Sequence, residues 1–527
     1  MPENIVISVG GTGAKIVESL LPCLAAGLGP SSLSVCFVDQ DESNGNVTRA
    51  RQHLTAYRAL RKAWSEGEHR LTWSGAGATG FAATDALSLV GGSDLWCPHP
   101  NRTTTLSEIL NRKLLDENNG HLMDLLFHAD EREQEMQLGE GYRGQPHIGA
   151  AAMVSEVLKG ATFWAALEAK IRSARAGDEV RLFLVGSVFG GTGAAGFPTI
   201  ARVIRNFGRD EQVGRTIKLG GLLMLPYFSF SPPKAGENAA KPEDLLIQSQ
   251  GAIKYYARLL QNEQIFNQIY MLGWNPRFQL GYGSPGSSTQ LNPPLPPELI
   301  GALACLKFFQ DPVPDQIANA TYVVSREKEE RLEWADMPAI DENAAESRQK
   351  ILLCIGQLLR FCIVWRNTIR PQLRKRINPL GWPAWARRQG ANSVTYNADQ
   401  DDALKKLDQV VSDILVWAAS LGGFATQGGL ASFELWDATR LGSFDKTAPT
   451  DPVHLYPPMS DDRTAEAYSN AVRGLDEAQK ARSQGALIDE ISDTRLAGDY
   501  QGLGRLVAAV FKGARLFDEQ PSKTKVQ

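Results

Sequence analysis

The tetrapeptide Gly-Gly-Thr-Gly occurs twice in this chain, at residues 10–13 and 190–193. Each copy follows a short apolar run and precedes a segment with apolar side chains at helical spacing. Glycine lets the backbone adopt positive φ, and the lack of a Cβ lets successive N–H groups converge. A strand, a glycine turn and a helix in this order are typical of a parallel α/β sheet, in which both turns emerge at the carboxyl edge.

The apolar runs around these turns predict the rest of that sheet. Five of them have the length and composition of strands: residues 5–9, 34–38, 180–185, 217–225 and 265–272. Residues 298–309 are apolar almost all round, which predicts a helix that is buried on most of its sides. We therefore expect an α/β fold with a Rossmann-like parallel sheet and a buried central helix.

Changes in composition divide the chain into three regions. Residues 1–310 carry the sheet, with a helical insertion at about residues 50–170, where acidic and basic side chains mix. Residues 311–460 change to long amphipathic helices, which predict a second, smaller domain. Residues 461–527 predict additional C-terminal helices and a polar, disordered tail.

Charge and cysteine content exclude several classes of protein. The net charge of −4 provides no global attraction to nucleic acid or to an anionic membrane. The six cysteines match no zinc-binding spacing, so we expect buried thiols in a reducing cytoplasm. The uncharged run at residues 414–433 is interrupted by glycines and does not predict a membrane span. The basic stretch from Arg366 to Arg388 is compatible with nucleic acid or an acidic partner, but a solvated helix face with buried tryptophans is the commoner explanation.

The two glycine turns are candidate anion sites. The free N–H groups of a glycine turn, together with the positive end of the following helix, bind phosphate. Two such turns at one sheet edge suit a polyphosphate that is held from two sides. Each turn also has a purely structural explanation as a tight strand-to-helix connection, but two identical copies favour a shared ligand.

Two common nucleotide motifs fit this sequence less well. Lys15 follows the first turn, but the spacing is not that of a Walker A loop. A dinucleotide-binding site is supported by Asp39 at the end of the second strand, whereas Ile16 stands where its third glycine would be. A nicotinamide-dependent enzyme therefore remains an alternative, although it leaves the second turn unexplained.

The second turn resembles the signature loop of the tubulin/FtsZ superfamily, which is close to (S/A/G)GGTG(S/A)G. Residues 190–194 match its core, and residues 9–13 look like the first phosphate loop of the same site. The resemblance covers about residues 1–315 and is greatest to divergent bacterial tubulin-like proteins. It implies a GTPase-like domain that binds GTP with Mg²⁺ and associates with further copies of the chain.

This resemblance also implies which residues bind the ligand. The phosphate-binding residues would be Gly10, Gly11, Thr12, Gly13 and Lys15 in the first loop, Gly75 and Gly77 in a loop that senses the γ-phosphate, and Gly190, Gly191, Thr192, Gly193 and Ala194 in the signature loop. Asp39 and Asp41 would approach the metal and the phosphates from the loop after the second strand. Gln248, Gln250 and Asn238 are candidate contacts for the base, and none is distinctive.

The chain also departs from the superfamily pattern. Phe189 replaces the first small residue of the signature, and the closing glycine moves to Gly196. In the superfamily, an acidic loop after the central helix of one subunit completes the site of the next. Asp311 and Asp315 would take that catalytic role and polarise the attacking water, and their alternative role is in helix capping or a surface loop.

We therefore expect a tubulin-like GTP-binding protein whose nucleotide state controls self-assembly or the binding of a partner. Any hydrolysis would be completed between subunits. A non-polymerising nucleotide-binding scaffold in a bacterial multi-protein system, such as a defence system, is the alternative of a different class. It is favoured by the long insertion and the extra C-terminal helices, which would block longitudinal stacking, and by the weak match of the acidic loop.

Overall fold

The structure is a computed structural model. It describes residues 3–30, 32–65, 83–86, 94–130, 133–142, 144–158, 162–174, 178–210, 217–231, 242–282, 288–326, 331–375, 398–425, 430, 432–443, 453–458, 461–475 and 502–514.

A sheet of eight parallel strands forms the centre of the described chain. Its strands are β1 (Glu3–Val9), β2 (Ser32–Val38), β3 (Ala83–Ala86), β4 (Leu95–Trp96), β5 (Val180–Ser187), β6 (Ile217–Met224), β8 (Gln268–Trp274) and β10 (Ala320–Arg326). The order is β10–β8–β6–β5–β1–β2–β3, and β4 also pairs with β2. Helices cover both faces of the inner strands, which explains why those strands are continuous apolar runs.

The strand order reverses between β1 and β5. From β1 the chain adds β2 and β3 on one side, whereas from β5 it adds β6, β8 and β10 on the other. Because such crossovers are right-handed, the helix after β1 and the helix after β5 lie on opposite faces of the sheet. Ligands of open parallel sheets bind outside the carboxyl ends of the strands at such a reversal.

The helices of this region are α1 (Gly10–Ala25), α2 (Gly45–Ser65), α3 (Leu106–Ile109), α4 (Glu117–Leu126), α5 (Pro146–Leu158), α6 (Thr162–Ser173), α7 (Gly191–Asp210), α8 (Pro242–Asn262) and α9 (Pro296–Gln310). Helix α1 packs against α2 and α9, and α5 packs against α7. A two-stranded parallel ribbon, β7 (Phe228–Ser231) with β9 (Phe278–Tyr282), lies outside the main sheet.

Helix α9 confirms the predicted buried central helix. Nearly all of its residues are buried, and a Cβ at Gly301 would lie 2.8 Å from a methyl of Leu222 in β6. At its C-terminus, the guanidinium of Arg181 donates to the carbonyls of Phe308, Phe309 and Asp311 at 3.3, 3.0 and 2.9 Å. This interaction supplies a donor for the last carbonyls of the helix, which have no partner within it.

The C-terminal part of the described chain is mainly helical. Its elements are α10 (Ala344–Val364), a π-helical turn (Trp365–Ile369), α11 (Arg370–Lys375), α12 (Ala398–Phe424), β11 (Gly442–Ser443), β12 (His454–Leu455), α13 (Asp461–Ser469) and α14 (Gly502–Gly513). Helix α12 packs on α2, where the indole of Trp64 donates to the carbonyl of Ala403 at 3.1 Å. The indole of Trp417 donates to Ser19 Oγ in α1, also at 3.1 Å. The C-terminal helices therefore form part of the layer that covers the sheet.

One helical segment of the described chain, Ala344–Leu373, is long and apolar enough to cross a membrane by length and composition. However, 83% of its most apolar window is buried inside the protein. Its apolar side chains pack against α12, α13 and α14, so packing accounts for its composition.

Two parts of the fold differ from expectation. The predicted helical insertion contains β3 and β4, which extend the sheet beside β2. Strand β10 lies in a region where helices alone were expected, and it pairs with β8 at one end of the sheet. Its side chains are largely exposed, with 65% of Val323 accessible to solvent. The boundaries of the three proposed regions stay a prediction, and the polar tail lies outside the described residues.

Candidate functional site

The two Gly-Gly-Thr-Gly turns lie side by side at the strand-order reversal. Strands β1 and β5 are paired in parallel, with Ser8 opposite Val185, so the turns that follow them emerge together. A Cβ at Gly10 would lie 3.2 Å from the backbone nitrogen of Gly193. Gly10 also has φ +76°, a conformation that favours glycine. The structure therefore brings the two predicted loops into direct contact.

Glycine is required where these turns meet the strands. A Cβ at Gly13 would lie 2.6 Å from the carbonyl oxygen of Val185, and one at Gly193 would lie 3.0 Å from the backbone of Ser187. The helices that follow can therefore begin directly at the strand ends. Helix α1 begins after Val9 without a hydrogen bond from a capping side chain. Its first backbone N–H groups therefore face the carboxyl edge of the sheet. A bound anion at this edge would accept hydrogen bonds from them.

Asp39 and Asp41 lie at the same edge, directly after β2. The hydroxyl of Thr192 donates to Asp39 Oδ1 at 3.0 Å, which joins the second glycine turn to this loop. The backbone N–H of Asp41 donates to the same oxygen at 3.2 Å, and Ser43 Oγ donates to Asp41 Oδ1 at 2.7 Å. Burial raises the pKa of Asp39 to about 7, and the neighbouring charge of Asp41 adds to this effect.

The donor set at this edge suits a cation that is shared with a ligand. Within the described part of the chain, no group of three or more histidine, cysteine or acidic side chains could hold a metal alone. Two carboxylates beside an anion cradle match the way in which Mg²⁺ binds with few protein ligands and with phosphate oxygens. Asp39 and Asp41 would hold Mg²⁺ only together with such a ligand.

A segment that the sequence analysis did not assign also reaches the site. Gly141 and Gly144 have φ +81° and +77°, and a Cβ at Gly191 would lie 3.0 Å from the backbone nitrogen of Gly144. Between them, the hydroxyl of buried Tyr142 donates to Gln40 Oε1 at 3.3 Å. A Cβ at Gly141 would lie 3.8 Å from the Cβ of Asp41. This 141–144 segment therefore lies between the metal candidates and the signature loop. Two closely spaced glycines before a helix were the sequence signal for it.

Asn44 is another polar residue at the site that the sequence analysis missed. Its Oδ1 accepts from the backbone nitrogens of Asn46 and Val47 at 3.0 and 3.3 Å, which caps α2. A Cβ at Gly11 would lie 3.2 Å from its amide nitrogen, so the first glycine turn is packed against this cap.

The position of Lys15 does not support its predicted role in phosphate binding. Its side chain is buried and forms an ion pair with Glu298 in α9. Its ammonium also lies 5.7 Å from the ring centroids of both Tyr227 and Phe228. Burial lowers the pKa of Lys15 and raises that of Glu298. The charge of Lys15 is directed to the central helix and away from the glycine turns.

Phe189 also points away from the turns. Its ring packs edge-on against Phe228 and Tyr227, with centroids 5.4 and 6.0 Å apart. Its ring therefore packs into this aromatic cluster rather than over the glycines of the signature loop. The departure from a small residue is explained by this aromatic cluster.

Asp311 and Asp315 lie at the opposite edge of the sheet. Asp311 follows α9 and forms an ion pair with Lys307, while Asp315 pairs with Lys218 near the start of β6. The side chain of Asp315 is 94% exposed. Since β5 has eight residues, at ~3.3 Å per residue, the two edges are about 26 Å apart. Neither acid can reach the glycine turns of its own chain.

Gly75 and Gly77 fall outside the described residues, as do Asn238 and the part of the basic stretch beyond Lys375. The roles predicted for them stay predictions.

Residues 5–241 match the family described as tubulin-like. Among the solved structures that match is CetZ2 from Haloferax volcanii, described as a GTPγS-bound protofilament. It aligns at 14% identity over 51% of this chain and 48% of that chain, with a TM-score of 0.23. The alignment thus spans about half the length of that protein, and at this score it carries no argument about the site. No curated protein sequence matches the chain.

Proposed function

Since residues 5–241 match the tubulin-like family, we propose that the chain binds GTP as a tubulin-like protein and that the bound nucleotide controls association with further copies of itself or with a partner. The proposal places the protein in the cytoplasm.

The observation that carries the proposal is the contact between the two identical glycine turns. Gly10 and Gly193 approach each other where the strand order reverses, so the N-termini of α1 and α7 lie side by side. One phosphate needs only one such turn. A paired arrangement suits a chain of phosphates that passes from one helix N-terminus to the other.

The surrounding residues would bind different parts of the nucleotide. Gly10, Gly11, Thr12 and Gly13 would hold one end of the polyphosphate, and Gly190 to Ala194 would hold the other. Asp39 and Asp41 would share Mg²⁺ with the phosphate oxygens, since Asp39 accepts a hydrogen bond from Thr192 of the second turn and Asp41 follows Asp39 in the same loop. The backbone N–H of Gly144, which lies beside Gly191, would add a further donor. We leave Lys15 out of this set because it is paired with Glu298.

The direct test is binding of GTP, ATP and NAD to the purified protein with Mg²⁺, by calorimetry, together with identification of any nucleotide that is released on denaturation. We expect GTP to bind and Gly193→Ala to lose at least about 100-fold in affinity, since the added methyl would collide with the backbone of Ser187.

Two variants serve as controls for this test. Gly251→Ala adds the same methyl on α8 where no atom lies within 4 Å of it, and it should bind GTP as the parent does. Asp39→Ala keeps every glycine of both turns, removes the acceptor of Thr192, and should weaken binding far more with Mg²⁺ than without it. Recovery of NAD(P) in place of a guanine nucleotide would overturn the proposal in favour of a nicotinamide-dependent enzyme.

A binding protein that does not polymerise is the second candidate. It is favoured by the ion pairs of Asp311 with Lys307 and of Asp315 with Lys218, because each acid that could act on a neighbouring subunit already has a basic partner. Sedimentation with GTP and with GDP distinguishes a nucleotide-controlled polymer from a binding protein that does not polymerise. Assembly with GTP alone would support nucleotide-controlled polymerisation, whereas a monomer under both conditions would support the scaffold.

A further inference from the structure

We propose that an exposed apolar face at helix α4 is a docking surface for a basic amphipathic helix of a partner protein. The surface consists of Leu114, in the turn before α4, and of Leu122, Leu125 and Leu126 on the helix itself. We call these four residues the leucine face. None of them belongs to the proposed nucleotide site, so the inference does not rest on the binding of GTP.

The first observation is the exposure of these leucines. The exposed fractions are 83% for Leu114, 51% for Leu122, 82% for Leu125 and 59% for Leu126. Single exposed leucines are common in soluble proteins. However, Leu122, Leu125 and Leu126 stand at positions i, i+3 and i+4 of one helix, so they share a face. Contiguous apolar faces of this kind mark sites at which another protein binds.

The second observation is that α4 is anchored on its other side. Its inner face is formed by Gly120 and Met123, which are buried. A Cβ at Gly120 would lie 2.8 Å from Nη1 of Arg112, so this guanidinium packs directly on the helix. Arg112 also donates to Asp124 Oδ2 at 2.8 Å, and Gln134 donates to Oδ1 of the same carboxylate at 2.9 Å. These contacts fix the helix with its leucines outward.

The third observation is the charge around the leucine face, which identifies the kind of partner. Residues 114–130 contain four acidic side chains and neither lysine nor arginine. Two of these acids, Asp116 and Glu117 at the start of α4, are exposed and form no ion pair within the part of the chain that the structure describes. A partner helix with basic side chains beside its apolar face would be complementary in charge. Such helices bind through apolar side chains at i, i+3, i+4 and i+7.

The same charge argues against two other occupants of the leucine face. Contact between the leucine faces of two copies of the chain would place like charges against each other, which is unfavourable at an interface. An anionic membrane surface would repel the same carboxylates. A basic helix is the occupant that is complementary to both the apolar and the charged side chains.

The test uses a fluorescent synthetic peptide of about 18 residues, with leucines on one face of its helix and lysines on the other. A control peptide has glutamate in place of every lysine. Binding of each peptide to the full chain is measured by fluorescence anisotropy. The double variant Leu122→Ser/Leu125→Ser removes half of the leucine face. The matched control, Ile247→Ser/Tyr255→Ser, removes two exposed apolar side chains from α8.

We expect the lysine peptide to bind the parent at least about tenfold more tightly than the glutamate peptide. Leu122→Ser/Leu125→Ser should weaken binding of the lysine peptide at least about tenfold, since two apolar contacts are lost, whereas the α8 variant should bind like the parent. Glu117→Gln should weaken binding about twofold to threefold and lower its dependence on salt. Because the substituted leucines are exposed, the double variant should keep the parent's thermal unfolding midpoint.

Three results would overturn the inference: the lysine peptide does not bind, the two peptides bind equally, or the double variant retains the parent's affinity. Two further measurements test the other occupants, namely sedimentation velocity of the free chain and flotation with phosphatidylglycerol vesicles. Self-association or vesicle binding that is lost in the double variant would also overturn it, by assigning the leucine face to a second copy or to a membrane.

Discussion

At the scale of single residues, burial decides what each charged group near the site can do. Lys15 and Asp39 are both predicted ligand-binding residues, and both are almost completely buried. Lys15 has an opposite charge in Glu298, whereas Asp39 has a hydroxyl and a backbone N–H as its partners. Lys15 therefore forms a structural ion pair, whereas the carboxylate of Asp39 is placed to bind a cation.

Lys15→Met should destabilise the protein by about 3–5 kcal/mol, because it leaves Glu298 buried without a counter-charge. Urea denaturation measures this loss. The double variant Lys15→Met/Glu298→Gln should recover much of the stability and should bind GTP like the parent. Loss of GTP binding in a stable double variant would show instead that Lys15 contacts the phosphates.

Asp39 should make the nucleotide-free protein less stable as the pH rises. Its pKa is about 7 in the folded chain and that of an ordinary aspartate when unfolded, so between these values the folded state binds the additional proton. Its contribution is present at low pH and is lost as the pH passes through 7. Between pH 5.5 and 8 we expect a loss of about 2 kcal/mol.

Asp39→Asn is the matched variant for this experiment. It cannot ionise, so this part of the pH dependence should disappear when unfolding is measured in EDTA without nucleotide. A parent and variant with parallel pH profiles would contradict the assignment.

At the scale of elements, patterns in the sequence predicted the parts whose burial is continuous. The inner strands and α9 are apolar along their whole length, and they were found within a few residues of their bounds. Strand β4 has only two residues, which is too short for a periodic pattern of apolar side chains. Strand β10 belongs to the sheet because it pairs with β8 and not because its side chains are buried.

The site was likewise predictable only where a local sequence pattern marks it. Its two glycine turns have a sequence signature, and parallel strands bring them together. The partners of Lys15 and Tyr142 come from residues more than 100 positions away, Glu298 and Gln40, and no local pattern indicates such contacts.

Arg181 is the residue through which β5 fixes the end of α9. Arg181→Met should destabilise the protein by about 2 kcal/mol, since three carbonyls lose a charged donor. Amide exchange at residues 308–315 should increase. Arg202→Met on α7, which removes an exposed pair with Glu263, is the control and should change stability by less than ~1 kcal/mol.

At the scale of the whole molecule, the sheet places the predicted phosphate-binding residues and the predicted catalytic acids at opposite edges. The glycine turns lie at one edge and Asp311 and Asp315 at the other, about 26 Å apart by the length of β5 at ~3.3 Å per residue. A head-to-tail arrangement of two chains would bring the acids of one to the turns of the other. The C-terminal helices pack on α1 and α2 and so belong to the layer that covers one face of the sheet.

If hydrolysis is shared in this way, two inactive variants should complement each other. Gly193→Ala lacks a nucleotide site and Asp315→Asn lacks the exposed acid, so each alone should release little phosphate from GTP. An equimolar mixture should recover part of the parent rate. A mixture as inactive as its components, with both variants folded, would argue against a site between subunits.

Strand β10 has a practical consequence for any such experiment. Residues 320–325 contain neither charge nor proline, and Tyr322, Val323 and Val324 are substantially exposed at the end of the described sheet. Strands of this kind are prone to colloidal association through their unpaired edges. Such material would pellet with or without nucleotide, as a background that imitates polymer. Val323→Lys should lower that background in light scattering and leave any GTP-dependent increment intact, so the increment alone, rather than the amount pelleted, reports on assembly.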